Sequence, residues 1–213
     1  MFVVCQVNVG YAMRFLVRLR NQGKFKPSDA RALASLSYGA VRGSGADVGN
    51  VRVSSNAVEL DLLLASGDNL RASTRALEEK LGPLLTVREL DLKTPRIGVD
   101  RAVREGVGLF NEERYWESHE ALESAWRQTE GSEKEVLQGL ILVAAALVHL
   151  QKDERRVALG VMGRAQDKLR RHHGERFGID LDGVREKISG MIAAGEPEFF
   201  RIQARPPSSD AAF

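Results

Sequence analysis

Cysteine is almost missing from this chain. Of 213 residues only Cys5 carries a thiol, so an intramolecular disulfide and any multi-cysteine zinc or iron-sulfur site are excluded. That usage reads as a cytoplasmic protein. Long apolar runs are also lacking. The longest, Leu140 to Leu150, contains His149 and falls short of the ~20 residues that cross a bilayer. Met1 to Val9 is apolar but has no basic leader. A soluble protein with no membrane partner is expected. Neither sign of charge prevails: the net charge of +2 is too small to argue for nucleic acid by itself. Phosphate loops, dinucleotide fingerprints, nucleophile elbows and kinase signatures are absent as well.

What is present is an ordinary globular composition, 43% hydrophobic and 28% charged, enough for one large or two modest domains. The charge is unevenly divided. Residues 1–99 hold 14 basic against 9 acidic side chains, whereas the remainder holds 17 against 20.

The front half alternates strand and helix signals. Phe15, Val17 and Leu19 alternate with Arg14, Arg18 and Arg20 as on a strand with one buried face. Pro27-Ser28-Asp29 starts a helix over Ala30 to Val41 that Gly43-Ser44-Gly45 stops. Val51 and Val53, a turn at Ser55-Asn56, and then Val58, Leu60, Leu62 and Leu64 read as a hairpin. A second helix runs from near Asp68 to Leu81 before Gly82-Pro83. In the last strand Leu85 and Val87 share one parity and Leu90 and Leu92 the other, which predicts a bulge or a break near Arg88-Glu89. The order is that of a ferredoxin-like βαββαβ sandwich in an α+β chain. We place this domain at 13–93, after an N-terminal extension, 1–12, that start-site choice at Met13 would explain. The hairpin strands offer Val51, Val53, Leu60 and Leu62 and no aromatic residue for base stacking. Two readings stay open for it: a packing or dimerisation domain, or an RNA- or phosphate-binding surface built from Arg14, Arg18, Arg20, Lys24 and Lys26.

After a linker at 94–98, every periodic segment is helical. Helices are expected at about Val99 to Phe110, Arg114 to Thr129, Glu133 to Leu150, Glu154 to His172 and Leu181 to Ala194. Gly131 ends the second of these, and Ser132 to Glu135 forms a capping box for the third. From Val136 to Val148 that third helix leaves no polar face, so it belongs at the centre of an all-α bundle of about five helices spanning 99–195. A flexible tail is expected over 196–213.

One helix draws attention. At about 100° per residue, Tyr115, His119, Leu122 and Trp126 form an apolar stripe, with Glu123 at its edge one turn beyond His119. The residues Leu109-Phe110-Asn111, Tyr115, His119-Glu120-Ala121-Leu122-Glu123, Trp126, Gln138-Gly139-Leu140-Ile141, His149 and Phe177-Gly178-Ile179-Asp180 resemble the signature of the domain of unknown function 309 family. The resemblance covers roughly Asp100 to Ile192. It implies a helical bundle of prokaryotic distribution with no settled activity. One departure is visible: Lys152 to Leu159 stands where the family has Gly-Asn and then Gly-Ala.

A buried carboxylate beside a histidine has to be protonated, paired or bound to a cation. Three readings follow. His119, Glu123 and His149 form a divalent metal or ligand site suited to zinc, iron or manganese, with Glu120 or Glu112 as a further oxygen ligand. Alternatively His119, oriented by Glu123, performs acid-base catalysis. The third is a structural network linking His119, Glu123, Tyr115 and the central helix. Helical position favours His149 over Gln138 as the nearer partner of His119. The spacing is neither the two-histidine zincin pattern nor the paired Glu-x-x-His of di-iron bundles.

Elsewhere, Trp116 and Trp126 read as packing, and His172-His173 as partners of helix-end carbonyls. Arg164, Lys168, Arg170, Arg171 and Arg176 form a basic helix end, a solvated face or a phosphate-contact surface. Function classes rank as a binding module, using Tyr115, Trp126 and Gln138 to engage a protein partner or its own copy, then a metal-dependent and hydrolytic enzyme, then an RNA-associated protein using Arg18 and Arg20.

Overall fold

The computed structural model describes residues 13–90 and 97–204. The expected extension with Cys5, the linker up to Arg96 and the tail from Arg205 lie outside the described residues. Two compact units are present, one of residues 13–90 with 151–153 and one of 97–150 with 154–204.

The first unit runs β1 (Met13–Arg20), α1 (Ala30–Val41), β2 (Asp47–Val53), β3 (Ala57–Leu64), α2 (Leu70–Leu81) and β4 (Leu84–Glu89). The sheet order is β2-β3-β1-β4, with every neighbouring pair antiparallel, so each helical connection steps over one strand. Phe15, Val17, Leu19, Leu60 and Leu62 on one sheet face pack with Leu33 and Val41 of α1 and Leu77 and Leu81 of α2. Gly82 enters β4 with φ 130°, and a Cβ there would stand 2.5 Å from the Arg20 carbonyl oxygen.

Two expectations for this unit are corrected. The irregularity of the last strand falls at Leu85 rather than Arg88-Glu89: Arg18 pairs Thr86 and Leu19 pairs Leu84, leaving Leu85 as the extra residue. The bulge reverses parity, so Leu84 and Val87 both reach the core while Leu85 is exposed. The second correction concerns the other sheet face, expected to be solvated. Glu59, Asp61, Arg52 and Arg18 are all buried. They form a charge ladder in which Arg18 Nε donates to Glu59 at 2.7 Å, Arg52 lies 3.2 Å from Asp61, and Arg14 donates to Asp61 at 2.6 Å. Strand alternation identified the two faces but could not show that cross-strand pairing would neutralise one of them.

The second unit is helical: α3 (Val99–Asn111), α4 (Tyr115–Trp126), α5 (Gly131–Gln151), α6 (Arg155–Leu169) and α7 (Leu181–Ala194). The α+β class expected from the sequence is what the structure has. Val136, Leu137, Leu140, Val143 and Leu147 of α5 are buried and join one core with Phe110, Tyr115, Leu122, Met162, Leu169 and Ile188. Two close approaches are made possible by glycine. A Cβ at Gly106 would stand 2.7 Å from Leu122 Cγ, and one at Gly139 2.5 Å from Leu169 Cγ. Because α5 starts at Gly131, Ser132 sits inside its first turn rather than capping it, and Glu135 pairs with His172 instead.

Between α6 and α7, β5 (Glu175–Arg176) and β6 (Ile179–Asp180) make a small hairpin whose two turn residues, Phe177 and Gly178, have φ 52° and 74°. The stretch 196–204, grouped with the flexible tail by sequence, is packed. Asn111 Nδ2 donates to the Ile202 carbonyl at 2.9 Å and Ile202 N donates back to Asn111 Oδ1 at 2.8 Å. Ile202 is buried, Phe199 stacks on Tyr115, and Phe200 packs edge-on against Phe110. A polar stretch that returns apolar anchors to the core is held by those anchors rather than by local propensity.

Candidate functional site

The stripe of α4 is rotated from its expected position. Tyr115, Ser118, Leu122 and Ala125 are buried, whereas His119, Glu123 and Trp126 are only half-buried at its edge. Ser118 and Ala125 are small enough to turn this side inward. Leu122, beside them, fits over Gly106 of α3.

His119 therefore faces the rim. Its ring stacks on Trp116, with centroids 5.8 Å apart and planes at 5°. His119 Nδ1 lies 3.3 Å from Glu120 Oε1, and one ligand atom from each of His119, Glu120 and Glu123 falls within 4.8 Å of the others. Arg127 donates to Glu123 at 2.9 Å. The expectation that Glu123 is a buried carboxylate is corrected: its side chain is 30% exposed and ion-paired, so water and Arg127 stabilise its charge.

The other nominated residues are placed as follows. His149 is hydrogen-bonded to Glu154 across the turn into α6, and Glu120 rather than His149 joins the group around His119 and Glu123. Glu112 is ion-paired with Arg114. Gln138 is half-buried on α5. Trp126 carries Lys134 Nζ 4.5 Å above its ring. Arg18 is buried against Glu59, while Arg20 is exposed at the end of β1. A free cationic surface containing both Arg14 and Arg18 is therefore reduced by their carboxylate partners.

In the helical unit, the buried carboxylate that the sequence pattern did not reveal is Glu117. Arg114 grips it with two hydrogen bonds, Nε at 2.7 Å and Nη2 at 2.8 Å, and that bond raises the Arg114 pKa further. The Arg-x-x-Glu spacing at a helix start was the available signal. Tyr115 is fully buried, its ring packed edge-on to Phe110 at 5.0 Å. Its hydroxyl has no hydrogen-bond partner among the described residues, and burial pushes its pKa well above the ordinary tyrosine value. A groove of about 550 Å³ lies between α7 and the returning C-terminal stretch, flanked by Glu186, Lys187, Met191, Glu198, Phe200 and Arg201. None of the residues nominated from sequence lines it.

Fold and site together define a chain whose second unit is a helical module with an aromatic and carboxylate surface on α4. That module carries the family likeness: the profile of the family described as Domain of unknown function (DUF309) matches residues 103–161, from within α3 to the middle of α6. The match is shorter than the range the sequence resemblance covered, and Phe177 to Asp180 fall beyond it. No curated protein matches the chain. Among the described residues no helix is long and apolar enough to cross a membrane.

Proposed function

We propose that the helical unit is a binding module whose working surface is the outward side of α4, and that its ligand is a divalent cation held by His119, Glu120 and Glu123. The supporting observation is the convergence of one imidazole nitrogen and two carboxylate oxygens within 4.8 Å. In a tetrahedral site with bonds of about 2.0–2.2 Å, ligand atoms stand about 3.3–3.6 Å apart. Rotations of the His119, Glu120 and Glu123 side chains would have to close that difference. Binding would displace Arg127 from Glu123, a partly exposed pair worth about 0–1 kcal/mol. Imidazole with carboxylates suits zinc, iron or manganese.

Titration with zinc and manganese chloride, read by calorimetry and by elemental analysis after dialysis, tests this reading. About one equivalent is expected in the parent, with loss in His119→Ala and Glu123→Gln proteins that retain their circular dichroism. The Trp116 ring on His119 adds a second readout, because cation binding at the imidazole changes that stack and with it the tryptophan emission. A parent that takes up no metal, or a His119→Ala protein that takes up as much, refutes the proposal.

A second reading is metal-dependent hydrolysis at the same place. It is supported by the ligand count: three protein ligands leave a coordination position for water, as in catalytic zinc sites. A metal-loaded protein that fails to hydrolyse ester, amide and phosphoester substrates at a rate above the free metal ion removes it.

A further inference from the structure

The outer face of α6 carries charge that the helix bundle does not use. Ala158, Val161, Met162, Ala165 and Leu169 are its buried side. Beside that buried side, Arg164 and Lys168 of α6 and Arg171, two residues past its end at Leu169, recur at i, i+4 and i+7, a stripe about 60° wide, and all three are exposed. Arg156 and Arg170 flank it. None of these five has a carboxylate partner among the described residues. Asp182 is engaged with Arg185 and His173, and Glu135 with His172, which leaves Asp167, one turn from Arg164 and from Arg171, as the acidic side chain on this face. Residues 156–176 hold six basic side chains against two acidic ones, Asp167 and Glu175, in a chain whose net charge is only +2. The helix dipole rationalises cations in the last turn but not Arg156 or Arg164.

We propose that this face binds the phosphate backbone of duplex DNA without reading its sequence. The cap residue Arg170 keeps helical dihedrals, φ −55° and ψ −29°, so from Arg164 to Arg171 the stripe rises about 10.5 Å at ~1.5 Å per residue, close to the ~12 Å width of the major groove. Its two ends can then neutralise phosphates on both strands, with Lys168 between them. Gly160 continues the stripe one turn earlier, and a Cβ there would meet nothing within 4 Å, so the surface is open to a broad ligand. Arginine predominates, and its planar fork matches phosphate oxygens. A lipid surface fits less well, because the apolar side of α6 is already spent on the bundle core. No aromatic side chain lies on this stripe to stack an unpaired base.

The test is fluorescence anisotropy of the full chain with a labelled 20-base-pair duplex of arbitrary sequence. Neutralising three to five phosphates predicts a loss of affinity of roughly 40- to 500-fold between 50 and 200 mM salt. Replacing Arg164, Lys168 and Arg171 together by Gln is expected to lower affinity at least tenfold at 50 mM salt and to flatten the log-log salt slope by about 2.7. The double variant Arg164→Lys, Arg171→Lys, which keeps Lys168 and all three charges, should bind as the parent does. Removing the same charge from α2, by Arg71→Gln, Arg75→Gln and Lys80→Gln, should change binding less than twofold. No binding at 50 mM salt, an equal loss in the α2 variant, or preference for phosphatidylserine vesicles over DNA at equal phosphate overturns the proposal.

Discussion

Replacing Tyr115 by Phe should leave the protein as stable as the parent or more so. The ring keeps its edge-on contact with Phe110 and its stacking on Phe199, so only the hydroxyl is removed. That hydroxyl is buried with no partner among the described residues. An unsatisfied buried hydroxyl opposes folding by about 1–3 kcal/mol, so a gain toward the lower end of that range is expected at pH 7. The pH dependence gives an independent measure. Burial raises the pKa of the folded-state phenol above its unfolded value of about 10, so the unfolded state releases its proton first and the stabilising contribution is lost as pH rises. Between pH 8 and pH 11 the parent should lose about 1.4 kcal/mol more than Tyr115→Phe, other tyrosines cancelling in the comparison. Urea melts of both proteins at pH 7, 8, 10 and 11 supply every term. A variant destabilised by more than about 1 kcal/mol at pH 7, or two curves that run parallel to pH 11, would refute the reasoning, since the first requires a hydroxyl that is hydrogen-bonded in the folded protein and the second one that ionises as freely as in water.

The glycine contacts make a matched pair of predictions. Gly160→Ala meets nothing within 4 Å and should stabilise α6 by about 0.5–1 kcal/mol, whereas Gly139→Ala strikes Leu169 at 2.5 Å and should forfeit about 1–3 kcal/mol against that gain. Equal urea midpoints for the two would contradict the packing argument. Arg114→Gln removes the partner that grips the buried Glu117 carboxylate and should destabilise toward the lower end of about 3–5 kcal/mol, because Arg114 itself is 24% exposed. Adding Glu117→Gln should recover part of the loss, and a double variant as unstable as the single one would show that the charge was not the cause. Asn111→Ala breaks both hydrogen bonds to Ile202, and limited proteolysis should then cut within 199–203 faster than in the parent, with an unchanged cutting rate as the contrary result.

Sequence alone determined the longer strands and helices and their order, though not the short β5-β6 hairpin. The 12 residues of α1 end where they were expected to, the hairpin of β2 and β3 turns at Ser55-Asn56, and α5 is the buried helix that its unbroken apolar run required. These features are local: periodicity, turn residues and caps act over a few positions, so a linear pattern contains them. The family likeness around α4 was legible too, through the residues near His119 and Glu123 that carry it.

Tertiary structure decided what lies across from each side chain. A helical wheel put His119 on the apolar stripe, but the small side of Ser118 and Ala125, together with Leu122 seated over Gly106, turned the helix so that Tyr115 went in and His119 came to the rim. Alternation in β3 marked Glu59 and Asp61 as solvent-facing, and only strand pairing brought Arg18, Arg52 and Arg14 to them. The partner of His149 proved to be Glu154, five residues away, while Asn111 found Ile202 from 91 residues away. Burial and charge pairing depend on which elements meet and at what rotation, and those are collective properties of packing that no single segment carries.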